Sequence, residues 1–371
     1  MQQQVRALDG VYVCPRTRSP LRQEGSTLQG DAGGPVYELR NGIPRFLSFG
    51  AAETAEISAQ LERLNELAGR DGWLAALQSV YASDPGMVRY VTAGDRASFV
   101  ELLPIDRASR VLEIGPGLGQ FTVPLARRAG SVSALEVVGG QAEFVVRRCR
   151  EEGLANVDVA VGGDDCRLPY ADASFDLIVL NLVFEWCASR CAGEEPIDVQ
   201  RRLLAEMARV LKPGGSLYLA TKNRYALRYV IGKGDEHMHY LPFGNALPRW
   251  LGRLALRAKR LPRAPGLLHS HGALGRMLRD AGFDRLQSFW ATPEMRYPAE
   301  YVPTDADAIR AARRRPGFVQ GDARSVRLLM KRVPAMLVRH VTPGLAFLAT
   351  KGATPAAASG ARTPASRTDR R

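Results

Sequence analysis

The sequence predicts an α/β protein built on a parallel sheet with crossover helices, preceded by a small domain rich in β-strands. From about residue 108 to residue 222, short apolar β-type runs alternate with amphipathic helical patterns, which is typical of such a sheet. Before residue 50, short extended runs are instead separated by turn signals, among them the pair Asn41-Gly42. We therefore expect two architectures to follow each other along one chain.

The composition is that of an ordinary soluble protein with an excess of positive charge. The 371 residues are 46% hydrophobic and 24% charged, which excludes a wholly disordered, collagenous or coiled-coil protein. No run reaches the roughly 18 apolar residues of a membrane span, and residues 1–10 lack the apolar core of a secretory signal. The net charge of +13 comes mostly from arginine and does not by itself choose between nucleic acid, anionic lipid and an acidic glycan.

The cysteines predict a reduced, cytoplasmic protein. Their number is five and they form no CxxC pair, which argues against a disulfide framework. Cys187 and Cys191 lie one helical turn apart, but no second ligand pair is near them in the sequence, so we interpret them as buried thiols.

The chain is expected to divide into four regions. Residues 1–49 form the small domain, and residues 50–107 form a helical cap or linker with apolar residues near helical spacing. Residues 108–351 form the α/β domain, with a polar and basic insertion at about 223–272 followed by one more helix–strand unit. Residues 352–371 are mostly Ala, Pro, Ser, Thr and Arg and are expected to be disordered.

A glycine-rich loop follows the first strand of the α/β region. Val111–Ile114 is an apolar strand, Gly115-Pro116-Gly117-Leu118-Gly119 is the turn, and a helical pattern follows. Glycines let the backbone pass close under a ligand, and the first helical turn offers free N–H groups. A tight β–α turn uses glycine for packing as well, so this loop alone leaves both interpretations open.

An acidic residue at the end of the next strand favours a nucleoside ligand. Glu136 follows Gly115 by 21 residues, where a carboxylate can accept hydrogen bonds from both ribose hydroxyls. A NAD-binding fold uses the same logic, but its fingerprint has glycine where this chain has Gln120. Glu113, just before the loop, suits a cationic ligand better than a pyrophosphate.

Together with three further stretches, these motifs resemble class I S-adenosylmethionine-dependent methyltransferases of the type 11-like kind found in bacterial polysaccharide clusters. The further stretches are Gly163–Pro169, Ser174–Val179 and Leu211–Gly215, in the order and spacing of the family. The resemblance covers residues 108–222. It implies an enzyme with S-adenosylmethionine as cofactor and a seven-stranded Rossmann-like sheet, with helices on both faces and the last strand antiparallel.

The resemblance also implies roles for individual residues of the cofactor site. Glu113 and Gly115 match the contacts to the methionine portion, and Gly117 and Gly119 match the positions where the cofactor lies close to the backbone. Glu136 matches the acid that binds the ribose.

Three more residues match the far side of the same site. Asp164 matches the acid that meets the adenine amino group, with Asp165 beside it, and Asn181 ends the fourth strand near the sulfonium and the substrate. From the residues alone, the two aspartates are also compatible with a solvated loop, and Asn181 with a strand cap.

Residues 11–49 resemble a small zinc-ribbon-derived domain, found alone as a methyltransferase activator and also fused ahead of methyltransferases. The matching stretches are Cys14-Pro15, Ser19-Pro20-Leu21 and Tyr37 through Asn41-Gly42-Ile43-Pro44. A zinc site needs paired cysteines, but Thr17 stands at the second position and the later half has none. We therefore expect no metal and a packing or docking role.

The flanking regions resemble methyltransferases encoded with glycosyltransferases. Among the similar stretches are Asp84–Tyr90, Leu182–Trp186 and Lys222–Tyr225. They favour O-methylation of a sugar, glycan or glycolipid precursor. Two alternatives stay open: a ribosomal RNA methyltransferase, disfavoured because few aromatic residues interleave the basic runs, and a cofactor-binding scaffold without turnover.

A hydroxyl acceptor requires a base near the transferred methyl group. The candidates are Glu185, just after the fourth strand, and His237, with His239 as a neighbouring alternative in the insertion. A histidine in a polar loop is more often a surface residue, and Glu185 could equally brace a helix. Arg224 and Tyr225 are candidates for holding an acidic group of the acceptor.

The insertion also contains a basic amphipathic pattern over residues 247–260. Apolar residues recur at helical spacing with cations around them: Leu247, Trp250, Leu251, Leu254 and Ala258, with Arg249, Arg253, Arg257, Lys259 and Arg260. Such a helix can lie on an anionic membrane. It can also be a lid that packs its apolar stripe on the sheet.

Overall fold

The computed structural model describes residues 12–30, 34–50, 53–191, 193–321 and 323–353, which contain two separate sheets. The tail expected to be disordered lies, from residue 354 onward, outside the described residues. No helix in the described ranges has the length and apolar character needed to cross a membrane.

The small domain is a four-stranded antiparallel sheet in chain order. Its strands are β1 (Arg22–Glu24), β2 (Thr27–Gln29), β3 (Val36–Arg40) and β4 (Ile43–Pro44). Asn41 and Gly42 join β3 to β4 with φ angles of +54° and +78°. This left-handed pair is the tight turn that the sequence predicts.

The cap is helical, as its apolar spacing predicts. It comprises α1 (Ala55–Asp71), α2 (Trp73–Val80), α3 (Pro85–Thr92) and a 3₁₀ segment (Gly94–Leu102). Thr54 and Asp84 cap α1 and α3 by accepting hydrogen bonds from the backbone N–H groups of Ile57 and Met87.

The second sheet has eight strands in the order β11-β10-β12-β9-β8-β5-β6-β7. Their bounds are β5 (Arg110–Ile114), β6 (Ser131–Glu136), β7 (Val157–Val161), β8 (Phe175–Asn181), β9 (Leu211–Lys222), β10 (Phe283–Thr292), β11 (Glu300–Pro303) and β12 (Gly344–Lys351). β5 to β9 pair in parallel. β12 runs antiparallel to both β9 and β10, which confirms the reversed last strand.

The expected count of seven strands is one too low. β11 pairs with the outer edge of β10 as an eighth strand. It is only four residues long. So short a strand has too few residues for a periodic pattern, and the sequence therefore does not predict it.

Helices cover both faces of this sheet. Along the central strands, alternate residues such as Leu112 and Ile178 pack with α6 (Pro196–Val210) and α9 (His271–Asp280). Their neighbours, such as Val111 and Leu177, pack with α4 (Thr122–Ala126) and the 3₁₀ segment of the cap. α5 (Gly139–Glu151) follows β6 and packs its buried face on β6 and β7.

Two long connections leave the sheet near its reversed strand. After β9, the predicted insertion contains α7 (Leu227–Val230), a 3₁₀ turn (Glu236–Met238) and α8 (Arg249–Ala258). Between β11 and β12 the chain forms α10 (Ala306–Arg314), α11 (Arg324–Met330) and α12 (Val338–Val341) around the buried Trp290. After the insertion, the sequence predicts one helix–strand unit, and α9 with β10 form it. The sequence does not predict the helices between β11 and β12.

The small domain packs on the sheet domain through aromatic side chains. The ring of Tyr12 lies 5.3 Å from that of Phe46 and 5.4 Å from that of Tyr170, and its hydroxyl donates to the Asp158 carboxylate. Within the small domain, the Cys14 sulfur lies 3.1 Å from the Tyr37 hydroxyl. These contacts fit the predicted packing role; the expected absence of zinc stays a prediction.

Candidate active site

The glycine loop after β5 has a left-handed backbone conformation at each of its three glycines. Gly115, Gly117 and Gly119 all lie in the left-handed region, with φ angles of +75°, +57° and +77°. A Cβ atom on Gly115 would lie 2.5 Å from a methyl group of Val183. Glycine at position 115 therefore lets the segment after β8 approach the loop.

A cavity of about 450 Å³ lies at the carboxyl ends of β5, β6 and β8. Its wall contains five of the residues that the sequence singled out: Gly115, Gly117, Glu136, Asp164 and Asn181. The cap closes one side with Met87, Tyr90 and Val91. Ligands of open α/β sheets bind at this carboxyl edge, so the fold and the residue pattern indicate the same place.

Glu136 forms hydrogen bonds with both the glycine loop and the turn that leads into α5. Its Oε2 accepts a hydrogen bond of 2.9 Å from the N–H of Gly117, and its Oε1 accepts from the N–H groups of Val137 and Val138. Burial raises the pKa of this carboxyl, while the three N–H donors lower it. Each carboxylate oxygen has two lone pairs, so Oε2 can still accept a hydroxyl from the cavity.

Asp164 lines the cavity and also accepts hydrogen bonds from the end of the small domain. Its carboxylate accepts from the N–H of Ser48 at 2.9 Å and of Phe49 at 2.8 Å. The Ser48 hydroxyl donates to the adjacent Asp165, whose side chain also pairs with Arg167. Nothing in the sequence pattern indicates that residues 48 and 49 reach this site.

Asn181 ends β8 at the floor of the cavity. Its side-chain oxygen is buried and has no hydrogen-bond partner within the described part of the chain. The side-chain oxygen of Gln120 is unpaired in the same way and also belongs to the wall. Buried polar atoms are usually paired, so these two oxygens fit a ligand that donates hydrogen bonds.

Glu113 lies beneath the loop and is not part of the cavity wall as described. Thr122 donates to its Oε2 at 2.6 Å, and its Oε1 has no partner among the described residues. Burial raises the pKa of Glu113 to about 8; the Thr122 hydrogen bond opposes this shift, and the negative charge of Glu136 adds to it. Its predicted role toward a cationic ligand stays a prediction.

A second cavity, of about 280 Å³, adjoins the first at Leu182. Its wall is rich in charged and phenolic side chains: Lys222, Arg228, Tyr229, Lys233, Asp235, Glu236, Tyr240, Glu294 and Arg296. The mixture of donors and acceptors distinguishes it from the less charged wall of the first cavity.

Asp235, Glu236 and His237 offer ligand atoms that all lie within 4.8 Å of one another. The Lys222 ammonium contacts Glu236 and lies 3.5 Å from Asp235. A divalent cation at these carboxylates would compete with this ammonium group. The absence of a bound metal, which the sequence analysis expects, stays a prediction.

The two candidate bases, Glu185 and His237, lie next to each other in the interior. His237 Nε2 lies 3.9 Å from Glu185 Oε1, and the two residues are 0% and 1% exposed. The Thr221 hydroxyl donates to Glu185 at 2.7 Å. Burial raises the pKa of Glu185, whereas the imidazole of His237 lowers it. Because the two residues are far apart in the sequence, its pattern does not indicate that they meet.

Residues that contact His237 line both cavities. Trp186, in the wall of the first cavity, stacks on His237 with ring centroids 4.3 Å apart. Asp235, in the wall of the second, lies 2.9 Å from His237 Nδ1. His239 instead contacts the backbone carbonyl of Arg263. Glu185 and His237 themselves belong to neither wall as described.

Residues 112–219 match the family described as a methyltransferase domain. The biotin biosynthesis bifunctional protein BioHC of Cellvibrio japonicus is 37% identical over 145 residues, which cover 38% of this chain and 25% of that protein. Methyltransferase GfsG of Streptomyces halstedii is 36% identical over 149 residues, 38% of this chain and 48% of that protein. The malonyl-[acyl-carrier protein] O-methyltransferase of Methylococcus capsulatus is 35% identical over 115 residues, 30% of this chain and 37% of that protein. The chain thus spans less than half the length of these relatives.

Solved structures also align with this fold. A methyltransferase from Thermotoga maritima, described as S-adenosylmethionine-dependent and as a possible histamine N-methyltransferase, is 19% identical with a TM-score of 0.41, over 74% of this chain and 98% of that one. A complex of the Haloferax volcanii Trm112 methyltransferase activator with a methyltransferase aligns at 19% identity and a TM-score of 0.40, over 78% of this chain and 97% of the matched one.

The raised pKa of Glu113 predicts how stability depends on pH. The folded chain keeps a proton up to about pH 8 that the unfolded chain releases near pH 4.5. The free energy of unfolding should therefore fall as pH rises through this interval, by on the order of 5 kcal/mol from this group. Glu113→Gln, which is neutral at every pH, should remove that part of the slope.

The measurement is urea unfolding at pH 5, 6.5 and 8 for the wild type, Glu113→Gln and the exposed control Glu101→Gln. The control should keep the wild-type slope. Equal slopes for the wild type and Glu113→Gln would mean that Glu113 ionises as an ordinary glutamate.

Proposed function

We propose that this protein is an S-adenosylmethionine-dependent methyltransferase that methylates a hydroxyl group of a sugar, glycan or glycolipid precursor. Residues 112–219 match a methyltransferase domain, which supports the reaction class. The observation that carries this proposal is the pair of cavities that meet at Leu182. One has the features of a nucleoside site, and the other has walls suited to a polyhydroxylated acceptor.

The residues of the first cavity fit the cofactor. Glu136 would accept the ribose hydroxyls, Asp164 the adenine amino group, and the unpaired oxygen of Asn181 lies at the strand end expected near the sulfonium. When bound, S-adenosylmethionine supplies an electrophilic methyl group. Gly115 and Gly117 place the backbone of the glycine loop in the wall of this cavity.

The second cavity suits a sugar because sugar hydroxyls both donate and accept hydrogen bonds. Its wall offers the carboxylates of Glu236 and Glu294 as acceptors and cations such as Lys233 as donors. Tyr240, which is 70% exposed, adds an aromatic surface at the same cavity. A small cavity with charges of both signs suits a compact polar acceptor better than an RNA strand, which requires an extended basic groove.

Glu185 and His237 are proposed as the residues that take up the acceptor's proton. When the new C–O bond forms, the hydroxyl proton must leave the acceptor oxygen. Asp235 faces the second cavity and holds His237 Nδ1, while His237 Nε2 has no hydrogen-bond partner among the described residues. Asp235 and His237 therefore form the hydrogen-bonded part of the proposed proton route from the second cavity, and Glu185 lies 3.9 Å from His237 Nε2, where its carboxylate can stabilise a protonated imidazole.

Helix α8 is proposed to bring the protein to an anionic membrane surface. Gly252 and Leu256 face inward, whereas Trp250 and Leu254 are 68% and 55% exposed. The predicted apolar stripe is thus not buried as a unit, since Trp250 and Leu254 lie in solvent while Leu247 and Leu251 are half-buried. The cations at the end of the helix, Lys259 and Arg260, are exposed as well, and apolar side chains beside cations suit an anionic lipid surface.

Loss of the Glu136 carboxylate should weaken cofactor binding. Glu136→Gln should reduce affinity for S-adenosylmethionine by about 1–3 kcal/mol, because charge-assisted hydrogen bonds to the ribose are lost. Isothermal titration should give an equal loss for S-adenosylhomocysteine, which has the same ribose. Unchanged affinity, or tighter binding of NAD(H) by the wild type, would contradict the assignment.

Replacement of the proposed proton acceptors should slow turnover without loss of the cofactor. We expect Glu185→Gln and His237→Asn to reduce methyl transfer by about 10²–10⁴-fold and to change its pH profile. The assay follows label from methyl-labelled S-adenosylmethionine into total glycan, lipid, RNA and acyl-carrier-protein fractions. Glu56→Gln, at an exposed position on α1, is the matched control.

Label confined to RNA or to acyl carrier protein would contradict the proposed acceptor class. Cofactor binding without turnover on any fraction would favour a scaffold instead. Full turnover in both variants would assign the proton to another residue.

Removal of the exposed apolar residues of α8 should weaken binding to membranes. The double variant Trp250→Ser, Leu254→Ser should lose about tenfold or more in affinity for phosphatidylglycerol vesicles, since each side chain contributes on the order of 1.5–3 kcal/mol when buried. Vesicle flotation measures the binding. Met336→Ser with Leu337→Ser, an exposed apolar pair elsewhere, is the control, and binding that is equal in both variants would contradict the proposal.

A further inference from the structure

A third cavity, of about 350 Å³, lies beneath α8. It is bounded by α8, the beginning of α6 and residues 261–268, and its lining residues are distinct from those of the two cavities described above. One part of the wall is apolar, with Ile197, Leu256, Leu261 and Leu267. The cavity shares no wall residue with those two, but it borders Glu185 and His237 from another side: the N–H of Leu267 donates to the carbonyl of Glu185, and Gly266 packs against the ring of His237.

The rest of the wall is strongly basic. Five arginines line the cavity, namely Arg224, Arg249, Arg253, Arg257 and Arg263, and the one carboxylate in the same wall belongs to Glu195. Glu195 is paired with Arg253 at 2.8 Å. The wall as described thus has a large excess of positive charge.

Two of these arginines have neutral hydrogen-bond partners in the described ranges. Arg224 donates to the backbone carbonyls of Asn245 and Leu247. Arg249 lies 3.5 Å from the carbonyl of Leu268 and 3.3 Å from His269 Nδ1. These contacts orient both guanidinium groups but leave their charge uncompensated.

The positive charge lowers the pKa values of Arg249 and of the neighbouring His269. Burial lowers the pKa of Arg249, and the charges of Arg224 and Arg253 lower it further. The pKa of His269 falls to about 3 through burial and through the charges of Arg249 and Arg224. A neutral His269 adds no further charge, and its Nε2 pairs with Gln200 at 2.6 Å. An anion that entered the cavity would relieve this repulsion.

We propose that this cavity binds an anionic amphiphile, that is, a phosphate or carboxylate group joined to a hydrocarbon chain. Arg224 and Arg249 would hold the anion, because guanidinium groups form paired hydrogen bonds with such oxygens. Leu256, Leu261 and Ile197 would contact the chain. The ligand could come from a bilayer lipid or from a free molecule. This binding is additional to methyl transfer, and it assigns Arg224 to the anionic amphiphile instead of to the methyl acceptor.

The experiment measures binding of decyl phosphate to the full chain by titration calorimetry, below the concentration at which the probe forms micelles. We expect one molecule bound per chain. Inorganic phosphate, which lacks the chain, and decanol, which lacks the charge, should each bind at least tenfold more weakly. Equal binding of either probe would overturn the proposal, because one of the two halves of the site would then contribute nothing.

Two variants test the location. Arg249→Gln keeps a hydrogen-bond donor but removes the charge and should weaken binding of decyl phosphate about tenfold or more. Ala264→Trp should block the cavity, because Ala264 belongs to its wall. Arg314→Gln, an exposed cation at the end of α10 that is not in this wall, is the matched control and should bind as the wild type does.

Unchanged affinity in Arg249→Gln would overturn the proposal even if Ala264→Trp failed to fold, which its melting curve would reveal. The Trp250→Ser, Leu254→Ser variant separates the two sources of ligand. If it loses vesicle binding but keeps decyl phosphate, the cavity acts independently of the membrane surface, as proposed. If it loses decyl phosphate as well, the probe binds the outer face of α8 and the proposal is wrong.

Discussion

The candidate active site depends on one buried carboxylate, that of Glu136. It accepts the N–H of Gly117 from the loop after β5 and the N–H groups of Val137 and Val138 at the beginning of the next connection. The same group thus joins two adjacent β–α turns and faces the cavity between them. Burial of the charge is costly, and the three N–H donors offset that cost. Glu113, buried below the loop and close enough for the two charges to interact, has a raised pKa partly for this reason.

The small domain is part of this site. Its sheet ends at Pro44, and the chain then reaches the carboxyl end of β7, where the N–H of Phe46 donates to the carbonyl of Val161. Ser48 and Phe49 donate to Asp164 in the wall of the first cavity. Because both aspartate oxygens accept backbone hydrogen bonds, the position of Asp164 depends on how the small domain packs. The aromatic contacts of Tyr12 therefore support the site from a distance.

The insertion after β9 positions a second set of charged residues. Asp235 receives hydrogen bonds from Tyr229, Asn245 and the backbone of His237, so a carboxylate that borders the second cavity is held from several directions. These donors and the neighbouring His237 hold its pKa well below the usual range. On the other side of the same insertion, α8 covers a cavity whose wall contains five arginines and the carboxylate of Glu195. One insertion thus contributes both to the candidate acceptor site and to a separate basic cavity.

The sequence by itself determined the features that depend on local pattern and on spacing along the chain. Strands β5 to β9 with their helices, the glycine loop, Glu136 at a strand end and the Asn41-Gly42 turn all follow from periodicity, φ preference and the convergence of parallel strands at one edge. Tertiary structure alone decided which distant side chains meet. Examples are the contact of Glu185 with His237, the hydrogen bonds from Ser48 and Phe49 to Asp164, and the outward position of Trp250.

The short strand β11 and the face of α8 that turns inward also required the tertiary structure. The physical reason is that a pattern of residues indicates which face of an element is apolar, but not what that face meets. Burial, ion pairing and the closure of a cavity depend on contacts between residues far apart in the chain, and these contacts exist only once the whole sheet and its insertions have packed.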